Sequence, residues 1–177
     1  ESYEQKKNVA HWVKKHGNPM VLCVVIHRQN ILQMCAILDM SVELDADYLE
    51  LANCQYYGWA LLNRDQLLPT REQFTAAEAI AQEYKARLAG KMKIYYVVPD
   101  YYEDRPKACM NGWGTTFLTI APDGAALPCH EARVLPGLQC PNVRDFSIQQ
   151  IWEDSPAFNR FRGLNWMPEP CQSCPEK

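Results

Sequence analysis

The spacing of four cysteines in the second half of the chain constrains the fold more than any other feature. A first pair, Cys109 and Cys129, flanks Gly124 in the pattern C-x14-G-x4-C. A second pair, Cys171 and Cys174, forms a C-x2-C knuckle, a short turn that aims both thiols at one point. Thiolates are the preferred ligands of zinc and of iron–sulfur clusters, so this pattern indicates a metal-stapled module.

The sequence around these cysteines is typical of a small, loop-rich domain. Prolines recur from about residue 104 onward, and long periodic segments disappear. Segments 115–120 and 125–129 are predicted strands around a turn at 121–124, and short helices are predicted after Ser147 and from Pro156. A segment of this kind buries little apolar surface, so it needs a metal or a disulfide for stability.

Composition excludes several classes of protein. The 177 residues carry a net charge of −3 and 47% hydrophobic residues, which excludes a disordered tail and a nucleic-acid binder with a basic patch. The longest apolar run, 20–26, is too short to cross a bilayer, and the charged residues 1–16 do not form a signal peptide. Eight cysteines without a secretory signal favour thiols or metal ligands over disulfides, and we expect a cytoplasmic protein.

The first hundred residues predict an alternation of helices and strands. Apolar periodicity and capping signals give the expected elements: a helix ending near Gly17, a strand over 20–26 buried on both faces, a helix begun by Asn30 and Gln33 as a capping box, a strand over 48–54, a helix from Thr70 to Gly90, and a strand over 94–98. A helix between two successive strands is a right-handed crossover that makes those strands parallel, so the fold class is α/β.

The predicted sheet lacks part of its cover. Two helices cannot cover both faces of three strands, which predicts the last part of a larger barrel or open sheet. A small complete domain is the alternative.

Ligands of parallel sheets bind beyond the carboxyl ends of the strands. In this chain those ends carry polar and aromatic residues that suit a substrate cleft: Arg28, Asn30, Gln55, Tyr56 and Tyr57. The alternative is that the tyrosines only cap the sheet.

Four further cysteines and one histidine receive structural interpretations. Cys23, Cys35 and Cys54 lie within apolar patterns and are predicted to be core thiols. Cys140 fits neither cysteine pattern and is interpreted as a free thiol. His130 follows Cys129 and is expected to lie outside the set of metal ligands.

The cysteine pattern resembles the opening of the SPASM motif in radical S-adenosylmethionine (SAM) maturases, and this resemblance implies that the cleft described above holds SAM or the substrate. Longer words are similar to the family of radical SAM/SPASM peptide cyclases of pyrroloquinoline quinone biosynthesis: VIHRQN (25–30), QYYGWALLNR (55–64), VVPDYYEDRPKACMNGWG (97–114), LPCH (127–130) and WMPEPCQSC (166–174). The resemblance implies the C-terminal part of a partial (β/α) TIM-like barrel over 1–103 and a SPASM domain over 104–177, truncated before its last cysteines.

The resemblance also implies an oxidoreductase activity, cofactors and partners. In that family SAM is cleaved at a [4Fe-4S] cluster to a 5′-deoxyadenosyl radical, and a glutamate and a tyrosine of a precursor peptide become joined by a carbon–carbon bond. Cys109 and Cys129 match ligands of a first auxiliary cluster, and Cys171 and Cys174 match ligands of a second, of the [4Fe-4S] or [2Fe-2S] type. The implied partners are the precursor peptide PqqA, the peptide chaperone PqqD and an electron donor such as flavodoxin.

The sequence departs from this family in two ways. The cysteine signature of the SAM cluster, with spacings x3 and x2, does not occur, and the chain ends at Lys177 before the remaining auxiliary ligands. We therefore expect a fragment that is inactive by itself. Two alternatives stay open: one zinc ion bound by all four cysteines in an interaction module, and a SPASM maturase of a different peptide.

Overall fold

The computed structural model describes residues 2–98, 100–102, 104 and 112–175. The chain divides into two compact units, Glu1–Glu103 and Asp104–Lys177. None of the helices in these described ranges has the length and apolarity needed to span a lipid bilayer.

The first unit alternates helices and strands as predicted. Its elements are α1 (Ser2–Lys15), β1 (Val21–Ile26), a 3-10 turn (Ile31–Gln33), α2 (Met34–Glu43), β2 (Tyr48–Asn53), α3 (Gly58–Leu62), α4 (Arg64–Leu67), α5 (Arg71–Arg87), β3 (Lys93–Tyr96) and a second 3-10 turn (Asp100–Tyr102). Helix α5 begins at the predicted capping box, in which Thr70 Oγ1 accepts from the Gln73 amide and the Gln73 side chain accepts from the Thr70 amide. The short helices α3 and α4 were not predicted.

The sheet is parallel with the sequential order β1-β2-β3, which confirms the α/β prediction. Leu49 and Leu51 on β2 and Ile94 on β3 are buried in one cluster with apolar residues of α2 and α5. Both helices therefore cover the same face of the sheet.

The strand predicted over 20–26 is covered on one face in this chain, not on both as expected. Strand β1 forms, but Val21 and Val25 are 62% and 49% exposed. The alternate residues Leu22 and Val24 pack against the core. A valine-rich run is apolar on both faces whether or not both are covered, so the run by itself does not identify the uncovered face.

Two further expectations for the first unit are corrected. Asn30 does not cap a helix: its Oδ1 accepts from the His27 amide at 2.9 Å and its Nδ2 donates to the Val25 carbonyl at 2.9 Å. The predicted core thiols are not in the core, because Cys23 and Cys35 are exposed and Cys54 is half-buried. Both errors have one cause. Residue type and the spacing of apolar residues do not specify which hydrogen-bond or packing partners the tertiary structure supplies.

The second unit contains the predicted hairpin and two short helices. Its elements are β4 (Thr119–Ile120), β5 (Ala126–Leu127), a 3-10 helix (His130–Val134), α6 (Ile148–Asp154) and α7 (Pro156–Asn159). Strands β4 and β5 are antiparallel, and Ser147 forms the predicted capping box with Gln150. A small core packs Ile151 and Phe158 under the hairpin residue Ala126.

Candidate functional site

The hairpin of the second unit places Cys129 two residues after the end of its second strand. The turn is closed by the Gly124 amide donating to the Ala121 carbonyl at 2.8 Å and the Ala121 amide donating to the Ala125 carbonyl at 2.9 Å. Gly124 has a φ of +87°, which side-chain-bearing residues rarely adopt. The turn therefore requires the glycine of the C-x14-G-x4-C pattern.

The Cys129 thiol is half-buried at the start of the 3-10 helix His130–Val134. Its Sγ lies 3.9 Å from Glu131 Oε2. The same 3-10 helix carries Arg133, whose Nη2 contacts both carboxylate oxygens of Asp123 at 2.8 and 2.9 Å. This ion pair lowers the pKa of the Asp123 carboxyl and ties the segment after Cys129 back to the hairpin turn.

The second cysteine pair lies on one tight turn. The Cys174 amide donates to the Cys171 carbonyl at 3.3 Å, and Ser173 Oγ contacts Glu169 Oε2 at 2.6 Å. Cys171 is exposed and Cys174 is half-buried, and both are free thiols. The turn geometry suits two thiolates that share one metal site.

Cys109, the remaining predicted ligand, lies outside the described residues. Among those that are described, no three Cys, His, Asp or Glu side chains lie together as a set that could hold a metal ion. The two ligand arrangements, one zinc ion bound by all four cysteines and two iron–sulfur clusters, both stay hypotheses.

The cysteines and histidine outside the motif have other surroundings. Cys140 is half-buried, and burial raises the pKa of its thiol. The His130 ring lies 5.6 Å from the Phe117 ring, centroid to centroid.

The five predicted cleft residues lie after the carboxyl ends of β1 and β2, which are neighbouring strands. Arg28 is exposed, and its backbone amide and Nη1 donate to the carbonyls of Leu67 at 2.8 Å and Asp65 at 2.7 Å. Helix α4 thus fixes the orientation of Arg28. Asn30 is occupied with the backbone of its own loop, as described above.

The two tyrosines after β2 differ in their surroundings. Tyr56 is half-buried and makes an edge contact with the Tyr101 ring, with centroids 5.4 Å apart. Burial, reinforced by Cys54 and by two other tyrosines, raises the pKa of Tyr56 to about 12, while Arg28 acts in the opposite direction. Tyr57 is 40% exposed and precedes α3, and Gln55 is exposed.

Sequence reasoning missed two contributors to these sites. Helix α4 holds Arg28, although this helix has only four residues and no clear apolar period. Asn142 packs against the hairpin turn from a distant part of the sequence. The pairing of Asn142 with Gly124 leaves no local signal, because it depends on how the chain returns after residue 135.

Two comparisons with known proteins bear on these sites. Residues 109–175 match the family model of SPASM, described as an iron-sulfur cluster-binding domain. That range contains the hairpin, the Cys171–Cys174 turn and all four predicted ligands.

The fold is similar to solved structures of SuiB from Streptococcus suis. The SAM-bound form of SuiB superposes with a TM-score of 0.68 at 14% identity, over 97% of this chain and 42% of that chain. SuiB bound to its precursor peptide SuiA gives a TM-score of 0.61 at 12% identity, over 88% of this chain and 38% of that one. The chain thus spans about two fifths of the structures it matches, and the likeness shows a shared fold.

Proposed function

We propose that the complete protein is a radical SAM enzyme that modifies a peptide, and that the second unit binds two auxiliary iron–sulfur clusters. In this proposal Cys109 and Cys129 bind the first cluster, and Cys171 and Cys174 bind the second. The observation that carries it is the cysteine pattern on a hairpin and a knuckle turn within the range that matches SPASM.

The architecture of the first unit supports its assignment as the last part of a (β/α) barrel. A doubly wound sheet reverses its strand order and has helices on both faces, whereas a barrel keeps sequential order with its helices outside. Here the order is β1-β2-β3, α2 and α5 pack on one face, and Val21, Val25 and Tyr95 are exposed on the other. In a barrel that second face lines the interior.

The proposed substrate is a precursor peptide in which a glutamate and a tyrosine become cross-linked, as in pyrroloquinoline quinone biosynthesis. The words shared with that family support this assignment, as does the fold shared with SuiB, a protein solved with a precursor peptide. PqqA, the chaperone PqqD and a flavodoxin-like donor are the partners this proposal requires.

Bound SAM and the clusters supply the radical and the electrons, and this chain supplies binding and a shielded wall. Free thiols at Cys129, Cys171 and Cys174 offer soft ligands for iron. Tyr56, backed by the Tyr101 ring, excludes water from the carboxyl end of β2. With its pKa near 12, the Tyr56 hydroxyl stays neutral at physiological pH and does not add a charge there.

Metal analysis of the complete gene product, purified without oxygen, tests the proposal. We expect iron and acid-labile sulfide, and each of Cys109→Ala, Cys129→Ala and Cys171→Ala should lower both. Cys140→Ala is the matched control and should leave both unchanged, because Cys140 belongs to neither site.

One equivalent of zinc without iron would overturn the cluster assignment. The peptide is tested separately, by mass spectrometry of candidate precursors after incubation with SAM and reductant. Modification of a different peptide, with PqqA left unchanged, would replace the proposed substrate and leave the cluster assignment intact.

A further inference from the structure

The hairpin turn before Cys129 is closed from outside by one side chain. A Cβ atom built on Gly124 would lie 2.6 Å from Asn142 Oδ1 and 3.1 Å from Asn142 Nδ2. The glycine is therefore needed for two reasons, its positive φ and the space that the Asn142 amide occupies. Asn142 itself is half-buried.

Both ends of the Asn142 carboxamide are hydrogen-bonded. Nδ2 donates to the Asp123 carbonyl at 2.9 Å, and Oδ1 accepts from the Arg144 amide at 3.0 Å. Arg144 Nη1 donates to the same Asp123 carbonyl at 3.1 Å. The side chain thus links the tip of the hairpin to the segment that passes beside it.

The backbone around Asn142 continues the contact as a third strand-like segment. Ala125 and Asn142 form an antiparallel bridge. The Val143 amide donates to the Gly124 carbonyl at 3.0 Å, and the Ala126 amide donates to the Pro141 carbonyl at 2.7 Å. These bonds hold the strand that leads to Cys129 from the side opposite to β4.

We propose that Asn142 is a positioning residue for the cluster bound through Cys129. The inference rests on the proposed function, in which Cys129 is an iron ligand. The Asn142 side chain is hydrogen-bonded to the turn, and the turn determines the direction in which β5 leaves it. Strand β5 ends two residues before Cys129. Without this clamp the turn and strand gain freedom, and the thiol is no longer held where the other ligands meet the iron.

Asn142→Ala in the complete gene product tests this role against a matched control, Asn159→Ala. The Asn159 side chain also donates one hydrogen bond, to the Glu153 carbonyl at 2.8 Å, and accepts one, from Arg162 at 2.9 Å. Neither partner belongs to the hairpin. Outer partners of metal ligands typically contribute about 10- to 100-fold to metal affinity. We expect Asn142→Ala to lose iron from the first auxiliary cluster to a chelator about tenfold faster, with a shifted electron paramagnetic resonance signal, and Asn159→Ala to behave as wild type.

A double substitution separates positioning from general loss of stability. Gly124→Ala should disturb the same cluster, and Asn142→Ala should add little to it, because the added methyl group already displaces the amide. Equal iron loss in the Asn142 and Asn159 variants, or additive effects at positions 124 and 142, would overturn the positioning role. Full iron content in Cys129→Ala would instead overturn the proposed function, so the two failures are distinguishable.

Discussion

Both the residue type of Tyr56 and its surroundings suit an aromatic side chain that excludes water from the carboxyl end of β2. The side chain is half-buried at the carboxyl end of β2, against the Tyr101 ring, and burial holds its hydroxyl in the neutral form. Neighbouring Tyr57 is more exposed. In the proposed function this edge of the sheet borders the reaction chamber, and the rings of Tyr56 and Tyr57 form a wall between SAM and the peptide.

We predict that Tyr56→Ala combined with Tyr57→Ala uncouples SAM cleavage from peptide modification in the complete protein. Loss of the wall admits water and loosens the peptide, and misplacement by about 1 Å can lower a rate by roughly 100-fold. The measurement is the ratio of modified peptide to released 5′-deoxyadenosine, which should fall at least about tenfold while SAM cleavage continues.

Trp59→Ala is the control, because this ring is 82% exposed on the next helix. It should leave the ratio unchanged. An unchanged ratio in the double tyrosine variant, with normal iron content and melting temperature, would show that the tyrosines are scaffold.

At the scale of elements, the two capping boxes illustrate how far local sequence specifies structure. Helices α5 and α6 begin at Thr70-x-x-Gln73 and Ser147-x-x-Gln150, and both boxes form. The same pattern at Asn30 and Gln33 does not cap a helix, because the side-chain carboxamide of Asn30 is hydrogen-bonded to the His27 amide and the Val25 carbonyl. A cap is thus predicted correctly only where no tertiary or loop partner competes for the side chain.

We predict that Thr70→Ala lowers the free energy of unfolding by about 1 kcal/mol, because an orphan amide of α5 loses its acceptor. Thr75→Ala, an exposed substitution inside the same helix, should be neutral or slightly stabilising, since alanine has the higher helix propensity. Chemical denaturation of the complete protein measures both changes. Equal effects of the two substitutions would show that the box contributes nothing.

At the scale of the whole molecule, the two units differ in how they are stabilised. The first unit has a cluster of buried residues that joins α2 and α5 to the sheet. Among the described residues of the second unit, the buried apolar cluster consists of Ala126, Ile151, Ala157 and Phe158. Burial of two alanines contributes little apolar area, so we expect the second unit to depend more on the proposed metal sites and on hydrogen bonds.

We predict that anaerobic removal of iron from the complete protein loosens the second unit selectively. Metal binding in such modules is part of the folding free energy, so amide hydrogen exchange at Ala126 and Val143 should become at least about tenfold faster. Exchange at Cys54 and Val97, whose amides bond to the carbonyls of Ile26 and Leu51, should stay the same. Equal acceleration in both units would mean that the clusters stabilise the molecule as a whole.

The sequence by itself determined those features whose partners lie within a few residues. The boxes at Thr70 and Ser147, the hairpin around Gly124, and the alternation of helices with parallel strands are of this kind. The spacing of the cysteines likewise indicated a metal-binding module, because ligand type and turn length are local properties.

The tertiary structure alone decided the features that depend on distant partners. It left Val21 and Cys23 on an exposed face of β1, although the strand is apolar throughout. It fixed Arg28 through the carbonyls of Asp65 and Leu67, and it brought Asn142 against Gly124. Composition and period report the preference of a side chain for burial or bonding, but packing across tens of residues decides which neighbour satisfies it.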